Sequence, residues 1–359
     1  MILTIIAFII VLGILVLAHE FGHFIMAKRS NVKVEEFAIG FPPRIFSLKR
    51  GETNYTINAI PIGGYVKMLG ELEHSKSPRA FENQGPGKRF SIAVAGVVMN
   101  IILAWFILTL GFAIGMSPLV SPASDIPGKK LSNEIIIAGI EKGSPAEKAD
   151  IKPGDTLLSA SYNGSVTNFD SAESVIGFTS SHQNEKINVQ IKRDDNQIEK
   201  EVILSQDKEQ PLGLALVDKS VVRATWYKAP YVALRETYRI AELTWAFFGS
   251  FFKNLFASGS VSDEVGGPVA IYVYTGFAVK AGIMALLQFV ALLSVNLALI
   301  NILPFPSLDG GRIVFIILER IFGKKIIRER VENIIHTVGF ALLILLILSI
   351  TYKDITRLF

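Results

Sequence analysis

Two histidines and a glutamate near the start of the chain have the spacing of a zinc-binding motif. Residues 19–23 read HEFGH, so His19 and His23 lie on one face of a helix, about one turn apart. Glu20 flanks this pair, where its carboxylate can reach a water molecule at an open zinc position and act as a general base. A pair of histidines satisfied inside a protein core is the alternative interpretation.

The position of the motif favours the metal. HEFGH ends an apolar segment that begins at residue 1 and has Thr4 as its only polar side chain before His19. Ionisable side chains are costly in hydrocarbon and need partners, water or a metal to persist there. We therefore expect a zinc site near the end of a membrane-spanning helix.

A catalytic zinc ion requires a third protein ligand besides an open position. The chain has no cysteine, and Asp309 is the best candidate. This aspartate lies in the segment NILPFPSLDGG at residues 301–311, after another long apolar run. The two prolines end a helix and the two glycines allow a tight turn, and irregular backbone at membrane depth is tolerated where it lines a cavity. Alternatively, Asp309 caps a helix that begins near Arg312.

These motifs resemble those of the site-2 protease family of intramembrane zinc metalloproteases, specifically the bacterial regulator-of-sigma-E protease group. Four features occur in the same order along nearly the whole chain: HEFGH, the stretches GFPP and PIGGYVKM at residues 40–43 and 61–68, an insert similar to a PDZ domain, and the run N-x-x-P-x-P-x-L-D-G-G. The resemblance implies cleavage of single-span membrane proteins, such as anti-sigma factors or remnant signal peptides, in the bacterial inner membrane.

The resemblance also assigns roles to individual residues. It implies that His19, His23 and Asp309 bind Zn²⁺ and that Glu20 activates the water. Residues near the third ligand would position the substrate backbone beside the metal: Asn296 or Asn301, with Pro304 and Pro306.

The composition is that of a membrane protein. Of the 359 residues, 50% are hydrophobic and only 19% are charged. The hydrocarbon core of a bilayer is about 30 Å thick and a helix rises about 1.5 Å per residue, so four segments are long enough to span it: residues 2–27, 90–116, 281–303 and 334–352. We expect a polytopic α-helical membrane protein with four transmembrane helices, a membrane-associated β-hairpin and one inserted α+β PDZ domain.

The predicted segments run in this order: the first transmembrane helix with HExxH (1–27), a cytoplasmic loop with a re-entrant β-hairpin (28–89), the second transmembrane helix (90–117), an extracytoplasmic PDZ domain (118–218), an interfacial amphipathic segment (219–279), the third transmembrane helix with the LDGG motif (280–311), a cytoplasmic segment (312–333), and the fourth transmembrane helix with the C-terminus (334–359). Eleven lysines and arginines between residues 28 and 89 predict that this loop is cytoplasmic. Arg320, Lys324, Lys325 and Arg328 support the same orientation, which places the zinc toward the cytoplasmic side.

Residues 53–68 predict a short β-hairpin that turns at Gly63 and Gly64. A helical substrate must be unwound before its amide can reach zinc, and strand addition at the edge of this hairpin, around Ile60 and Ile62, would hold it extended. An ordinary surface hairpin is the alternative.

The insert reads as a soluble domain with strands over residues 134–140, 187–192 and 199–204. The sequences GSPA at 143–146 and KPGD at 152–155 resemble the PDZ signature, and PLGLAL at 211–216 resembles the carboxylate-binding strand, placed last as in a circularly permuted bacterial PDZ domain. Such a groove binds extended peptides and their C-termini. Two roles remain open, a peptide receptor and a steric filter, and we favour the filter combined with weak peptide binding.

Residues 224–256 are rich in aromatic side chains and predict a helix along the outer interface, whereas VGGPVA at 265–270 predicts a turn. The net charge is +4, but the basic residues concentrate beside the membrane edges, so the bilayer rather than nucleic acid is the expected partner.

Two other classes of protein remain as alternatives. A catalytically silent membrane PDZ adaptor would not need Glu20, and a zinc transporter should show internal repeats.

Overall fold

The computed structural model describes residues 2–71, 73–193, 196–206, 211–258, 266–323 and 329–358. The chain divides into two compact units, Met1–Gly111 with Ala229–Phe359, and Phe112–Lys228. The elements in chain order are α1 (Ile2–Arg29), β1 (Val34–Arg50), β2 (Thr53–Met68), α2 (Pro86–Ile114), β3 (Lys129–Ile140), α3 (Pro145–Lys148), β4 (Thr156–Tyr162), β5 (Ser165–Asn168), α4 (Ala172–Ser181), β6 (Lys186–Arg193), β7 (Asn196–Ile203), β8 (Leu214–Arg223), α5 (Ala229–Ser258), α6 (Pro268–Lys280), α7 (Ile283–Ile302), α8 (Asp309–Phe322) and α9 (Glu329–Leu358).

Four helices within the described ranges are long and apolar enough to cross a membrane. They are α1, α2, α7 and the part of α9 from Ile334–Thr356. A helix satisfies its own backbone hydrogen bonds, which is the requirement for a segment surrounded by hydrocarbon. The predicted polytopic membrane protein with four spans is confirmed. Lys324, Lys325 and Arg328, which were used to predict the orientation, lie outside the described residues.

The sheet of the first unit is built differently from the predicted hairpin. The first half of β1 pairs on both sides with β2, so that Ala38 lies opposite Tyr65 on one side and Thr56 on the other. The second half of β1 pairs with the first half of β2, where Arg50 lies opposite Thr53. The spatial order of the four segments is therefore 60–68, 34–41, 53–58 and 44–50.

The prediction of a turn at Gly63 and Gly64 is wrong. The chain reverses between β1 and β2 at Gly51, whose φ is +63°. Gly63 has a φ of +90° and lies in an irregular stretch, because Phe41 pairs with Ile60 while Ile39 pairs with Gly64. A glycine pair in sequence indicates unusual backbone but does not distinguish a bulge from a turn. One consequence is that residues 60–68 form an outer edge of this sheet.

The predicted interfacial segment 219–279 contains several elements, and the helix expected at residues 224–256 corresponds to α5. The structure divides this segment into the end of β8, helix α5 and helix α6. Gly267 precedes α6 and Pro268 is its first residue, a position that proline favours because its missing N–H has no partner there. The glycine-proline segment therefore begins a helix rather than forming a turn, and Val265 lies outside the described residues. Large aromatic side chains of α5 are exposed, as an interfacial helix requires: Tyr231, Tyr238 and Trp245.

The described residues of the second unit form a six-stranded sheet, with α3 and α4 between its strands in sequence. Its strand order is β7-β6-β4-β3-β8, with β5 paired to β4, and every pairing is antiparallel. In β6 the alternate residues Ile187, Val189 and Ile191 are buried, which follows from the two-residue period of a strand. The strands expected at residues 134–140, 187–192 and 199–204 lie in β3, β6 and β7, and only Leu204 falls beyond the last of these.

Candidate metal centre

Three side chains from α1 and the start of α8 converge on one point. The Nε2 atoms of His19 and His23 lie 3.1 and 3.2 Å from Oδ2 of Asp309, and 3.2 Å from each other. The three donor atoms therefore form a nearly equilateral triangle. Both histidines are buried. In the described part of the chain, the cluster of His, Asp or Glu side chains that could hold a metal ion consists of these three residues.

The triangle has the dimensions of a zinc site. Neighbouring donors of a tetrahedral zinc ion, with bonds of about 2.0–2.1 Å, are about 3.3–3.4 Å apart. Oδ2 of Asp309 is buried and makes no hydrogen bond of acceptable geometry with the described residues, although both ring nitrogens are close. A carboxylate oxygen that lies close to two ring nitrogens without hydrogen-bonding geometry is what a shared cation requires. Two imidazoles and one carboxylate also match the ligand types of catalytic zinc sites.

Helix α2 forms the surface against which the two rings pack. Nδ1 of His23 lies 2.8 Å from the carbonyl oxygen of Ile92, and Nδ1 of His19 lies 3.4 Å from Nδ2 of Asn100. Gly96 lies between these two contacts on the same helix face. A Cβ at Gly96 would be only 2.4 Å from Nε2 of His23, so the rings occupy space that any larger residue would fill.

The loop after α7 delivers the third donor. Helix α7 ends at Ile302 and α8 begins at Asp309, so the alternative interpretation of Asp309 as the cap of a helix near Arg312 is wrong. The cap position is Leu308, and its side chain makes no capping hydrogen bond. Gly310 and Gly311 permit the loop to fold back on the first turn of α8, because a Cβ at Gly310 would be 2.1 Å from the carbonyl oxygen of Leu303.

Glu20 and a neighbouring ion pair share a cavity with the three donors. The cavity has a volume of about 270 Å³. Arg312 pairs with Glu71 at its wall, and this carboxylate raises the pKa of Arg312 above its ordinary value, against the opposite effect of burial. The arginine therefore remains cationic beside the site. The lining residues are His19, Glu20, His23, Tyr65, Val66, Met68, Glu71, Phe81, Ile92, Ala93, Asn301, Ser307, Leu308, Asp309 and Arg312.

Comparison with known proteins identifies the family of the chain. Residues 7–346 match the model of peptidase family M50. The chain belongs to peptidase family M50. Among similar proteins, a candidate zinc metalloprotease of Clostridium acetobutylicum is 35% identical over 350 residues, covering 97% of this chain and 96% of the relative. The regulator of sigma-W protease RasP of Bacillus subtilis is 30% identical over 445 aligned residues, covering 99% of each chain. The zinc metalloprotease RasP of Shouchella clausii is also 30% identical, over 431 aligned residues and 99% of each chain.

Membership of the M50 family establishes the class of enzyme and its metal. The protein is a site-2 type metalloprotease whose cofactor is zinc, as predicted from HEFGH and its position. This membership also disfavours the silent adaptor and the transporter as descriptions of the chain.

The predicted substrate-positioning residues lie in different surroundings. Asn301 lines the cavity, whereas Asn296 accepts a hydrogen bond of 2.9 Å from the hydroxyl of Thr244 on α5. Pro304 is exposed, and Pro306 packs against α9, where a Cβ at Gly339 would be 2.4 Å from it. These three residues are not part of the cavity lining.

The glycine-rich part of β2 lies beside Glu20. A Cβ at Gly64 would be 3.8 Å from Cγ of Glu20, and Gly63 packs on the ring of Phe41. Ile60 is exposed on the sheet, and the side chain of Ile62 lies outside the described residues. The predicted role of this strand in holding the substrate stays a prediction.

Sequence reasoning missed a second group of contacts around the ligands. The spacing of His336 in the sequence matches no ligand motif, yet its Nδ1 accepts a hydrogen bond of 2.9 Å from the N–H of Ser307, two residues before Asp309. Asn100 on α2 contacts His19. The polar type of Asn100 inside an apolar span was the signal that could have identified it.

Proposed function

We propose that this enzyme hydrolyses peptide bonds within the membrane-spanning segments of single-span proteins. In this proposal His19, His23 and Asp309 hold the zinc ion and Glu20 is the general base. The observation that carries the proposal is the donor triangle itself. Two of its three donors, His19 and His23, lie in the C-terminal half of α1, a helix of a length and composition that cross a membrane. A protease site at that depth acts on substrates that are also in the membrane.

Zinc, Glu20 and Arg312 have different roles in the proposed hydrolysis. Bound zinc supplies a Lewis acid that polarises a water molecule and the substrate carbonyl. Glu20 takes a proton from the attacking water while the new carbon–oxygen bond forms, and it gives a proton to the leaving nitrogen as the carbon–nitrogen bond breaks. The half-buried Arg312, held by Glu71, keeps a positive charge beside the acidic groups of the cavity.

The edge of the sheet formed by residues 60–68 would hold the substrate as an added strand. Residues 64–68 pair with 34–39 on one side only, and Tyr65, Val66 and Met68 line the cavity that contains Glu20. An extended peptide beside this edge would gain backbone hydrogen bonds that replace those of its own helix. Exposed apolar side chains on the sheet suit contact with lipid: Phe41, Ile45, Phe46, Ile57 and Ile60.

Cysteine cross-linking tests the added strand, because the chain has no cysteine of its own. Lys67→Cys places a thiol on the proposed edge, and Lys49→Cys places one on the opposite edge of the same sheet. Both are made with Glu20→Gln so that the substrate persists. Against a reporter carrying single cysteines at successive positions, Lys67→Cys should give cross-links that alternate with a period of two residues. Equal yields from Lys49→Cys, or no periodicity, would contradict strand addition.

The orientation proposed from the basic loop places residues 28–89 in the cytoplasm and the second unit outside, in the bacterial inner membrane. The same cysteine-free background allows a direct check. Lys49→Cys should react with a membrane-impermeant maleimide only in inverted membrane vesicles. Lys142→Cys in the second unit should react only in spheroplasts. The reverse pattern would overturn the orientation.

We also propose that the second unit is a PDZ domain that filters substrates and binds peptide C-termini weakly. Strand β8 ends the sheet, and α4 lies beside it, with the N–H of Ala172 donating a 2.8 Å hydrogen bond to Asp218. A groove between an edge strand and a helix is how PDZ domains receive extended peptides. A reporter that carries a folded external domain should be cleaved more slowly than the same reporter without it. Equal rates would refute the filter, and a peptide titration of the full chain tests the binding role.

Mapping the cleavage site tests the proposed reaction. The full chain is reconstituted in liposomes with a single-span reporter, and the new termini are identified by mass spectrometry. We expect a cut inside the spanning segment, toward its cytoplasmic end, by the wild type and none by Asp309→Ala. A cut confined to residues outside the hydrocarbon would refute intramembrane hydrolysis.

A further inference from the structure

One face of α2 supplies a contact to each histidine of the candidate zinc site. Ile92, Gly96 and Asn100 follow one another at intervals of four residues and therefore share that face. The backbone oxygen of Ile92 accepts a hydrogen bond from Nδ1–H of His23 at 2.8 Å. This contact fixes the proton on Nδ1 and leaves Nε2 of His23 free to bind a metal.

Asn100 occupies the corresponding position beside His19. Its side chain is fully buried, with no exposed surface, and its amide lies 3.4 Å from Nδ1 of His19. Its Oδ1 is buried without a hydrogen-bond partner among the described residues. A buried amide oxygen without a partner is uncommon and requires an explanation.

The tautomer of His19 supplies that explanation. Nε2 of His19 faces Asp309, so zinc binding by Nε2 requires the proton to be on Nδ1. Nδ1–H must then find an acceptor, which the NH₂ group of an amide cannot provide. The two ends of the Asn100 amide have nearly the same shape, and turning the group over presents Oδ1 to Nδ1–H.

We propose that Asn100 is a positioning residue for zinc binding, whose amide oxygen accepts the Nδ1–H of His19 and holds this ring with Nε2 toward the metal. The proposal rests on the proposed zinc ligands and extends them to α2. The backbone of Asn100 is held by a separate contact, because the hydroxyl of Ser294 on α7 donates a 2.8 Å hydrogen bond to the carbonyl oxygen of Asn100. This contact therefore helps to fix the position of the Asn100 side chain relative to the two histidine rings.

Three variants of the full-length protein separate this role from simple packing. Asn100→Leu keeps the size of the side chain and removes the acceptor, whereas Asn100→Asp keeps an acceptor. Ser294→Ala, on α7, removes the hydrogen bond to the backbone of Asn100 and leaves the side-chain amide in place. Zinc affinity is measured by chelator competition in detergent. We expect about a 10–100-fold loss for Asn100→Leu, the range typical of lost outer contacts to a metal-binding histidine, and values within about threefold of wild type for the other two.

A tautomer measurement on the wild type keeps the proposal testable even where a variant does not fold. The chain has five histidines, so ¹⁵N-histidine labelling gives few signals. In the zinc-loaded protein, His19 should be protonated at Nδ1. Protonation of His19 at Nε2, or equal affinity losses in Asn100→Asp and Asn100→Leu, would overturn the role of Asn100. Unchanged zinc affinity in His19→Ala would instead overturn the proposed ligand set, so the two failures are distinguishable.

Discussion

Replacing Gly96 by alanine should remove zinc from the enzyme without unfolding it. An ideal Cβ at this position lies 2.4 Å from Nε2 of His23, 2.6 Å from Cε1 of His19 and 2.8 Å from Nδ1 of His19. The atoms in its way are the ends of two side chains rather than backbone. The rings can move, so the close packing of α1 on α2 should survive, but the donor triangle should not.

The size of the effect follows from the required displacement. Ordinary van der Waals contact begins at 3.4 Å, so the ring of His23 must retreat by about 1 Å, whereas metal–ligand distances tolerate about 0.2 Å. Misplacing even the outer partner of a ligand weakens metal binding by about 10–100-fold. We expect at least a 100-fold loss for two displaced rings, about 2.8 kcal/mol of binding free energy. Alanine favours a helix interior over glycine by about 1 kcal/mol, so unfolding should not become easier.

The assay compares zinc affinity and thermal unfolding of the detergent-solubilised full chain. Gly87→Ala is the matched control, because Gly87 lies on the same helix and a Cβ there would meet nothing within 4 Å. Gly87→Ala should bind zinc as the wild type does. If Gly96→Ala also bound zinc with wild-type affinity, the two histidine rings would not pack on this face of α2, and the reasoning from the site geometry would be refuted.

Three further predictions concern packing, pH and the metal. Gly22→Ala places a Cβ 2.2 Å from the backbone oxygen of Ala95 and should cost about 1–3 kcal/mol of unfolding free energy, while Gly13→Ala, with open space around it, should leave the unfolding transition unchanged. Hydrogen bonds and charges from Arg79, and next Lys28, lower the pKa of Glu52 from 4.5 to about 2. Above pH 5, Glu52→Gln should therefore lower the unfolding free energy by less than about 1 kcal/mol, with a matching decrease in the unfolding midpoint. The effect is small because these side chains are about one-third exposed. That difference should disappear as the pH falls toward 2, and a constant difference would contradict the ion pairs. Removal of zinc by a chelator should abolish peptide cleavage and added zinc should restore it; cleavage that persists in metal-free protein would contradict the assigned cofactor.

The parts of the site that follow from local spacing could be predicted from sequence. His19 and His23 share a helix face because of their four-residue separation, and the apolar run around them fixes the helix in a membrane. The proximity of Asp309 could be predicted only as a requirement of zinc chemistry, since 286 residues separate it from His23 in the printed sequence. The structure supplies the distances that local spacing cannot.

The errors arose where one sequence pattern is compatible with several backbone arrangements. Gly63 and Gly64 were interpreted as a turn, yet the reversal is at Gly51, because pairing of β2 on both sides of β1 decides where the strands bend. The role of Asn100 depends on the packing of α2 against α1. A polar side chain inside an apolar span can be seen in the sequence, but the partner of Asn100 is 81 residues away, and no local pattern indicates that contact.

Cleavage by Glu20→Gln tests the central claim most directly. The wild type and this variant are reconstituted with the same single-span reporter, and bound zinc is quantified in both preparations. We predict equal zinc content and at least about a 100-fold slower cleavage by the variant, the lower bound of what general acid–base catalysis contributes. Equal rates of cleavage by the two proteins, with zinc bound in both, would contradict the assignment of Glu20 and of this cavity as the site of hydrolysis.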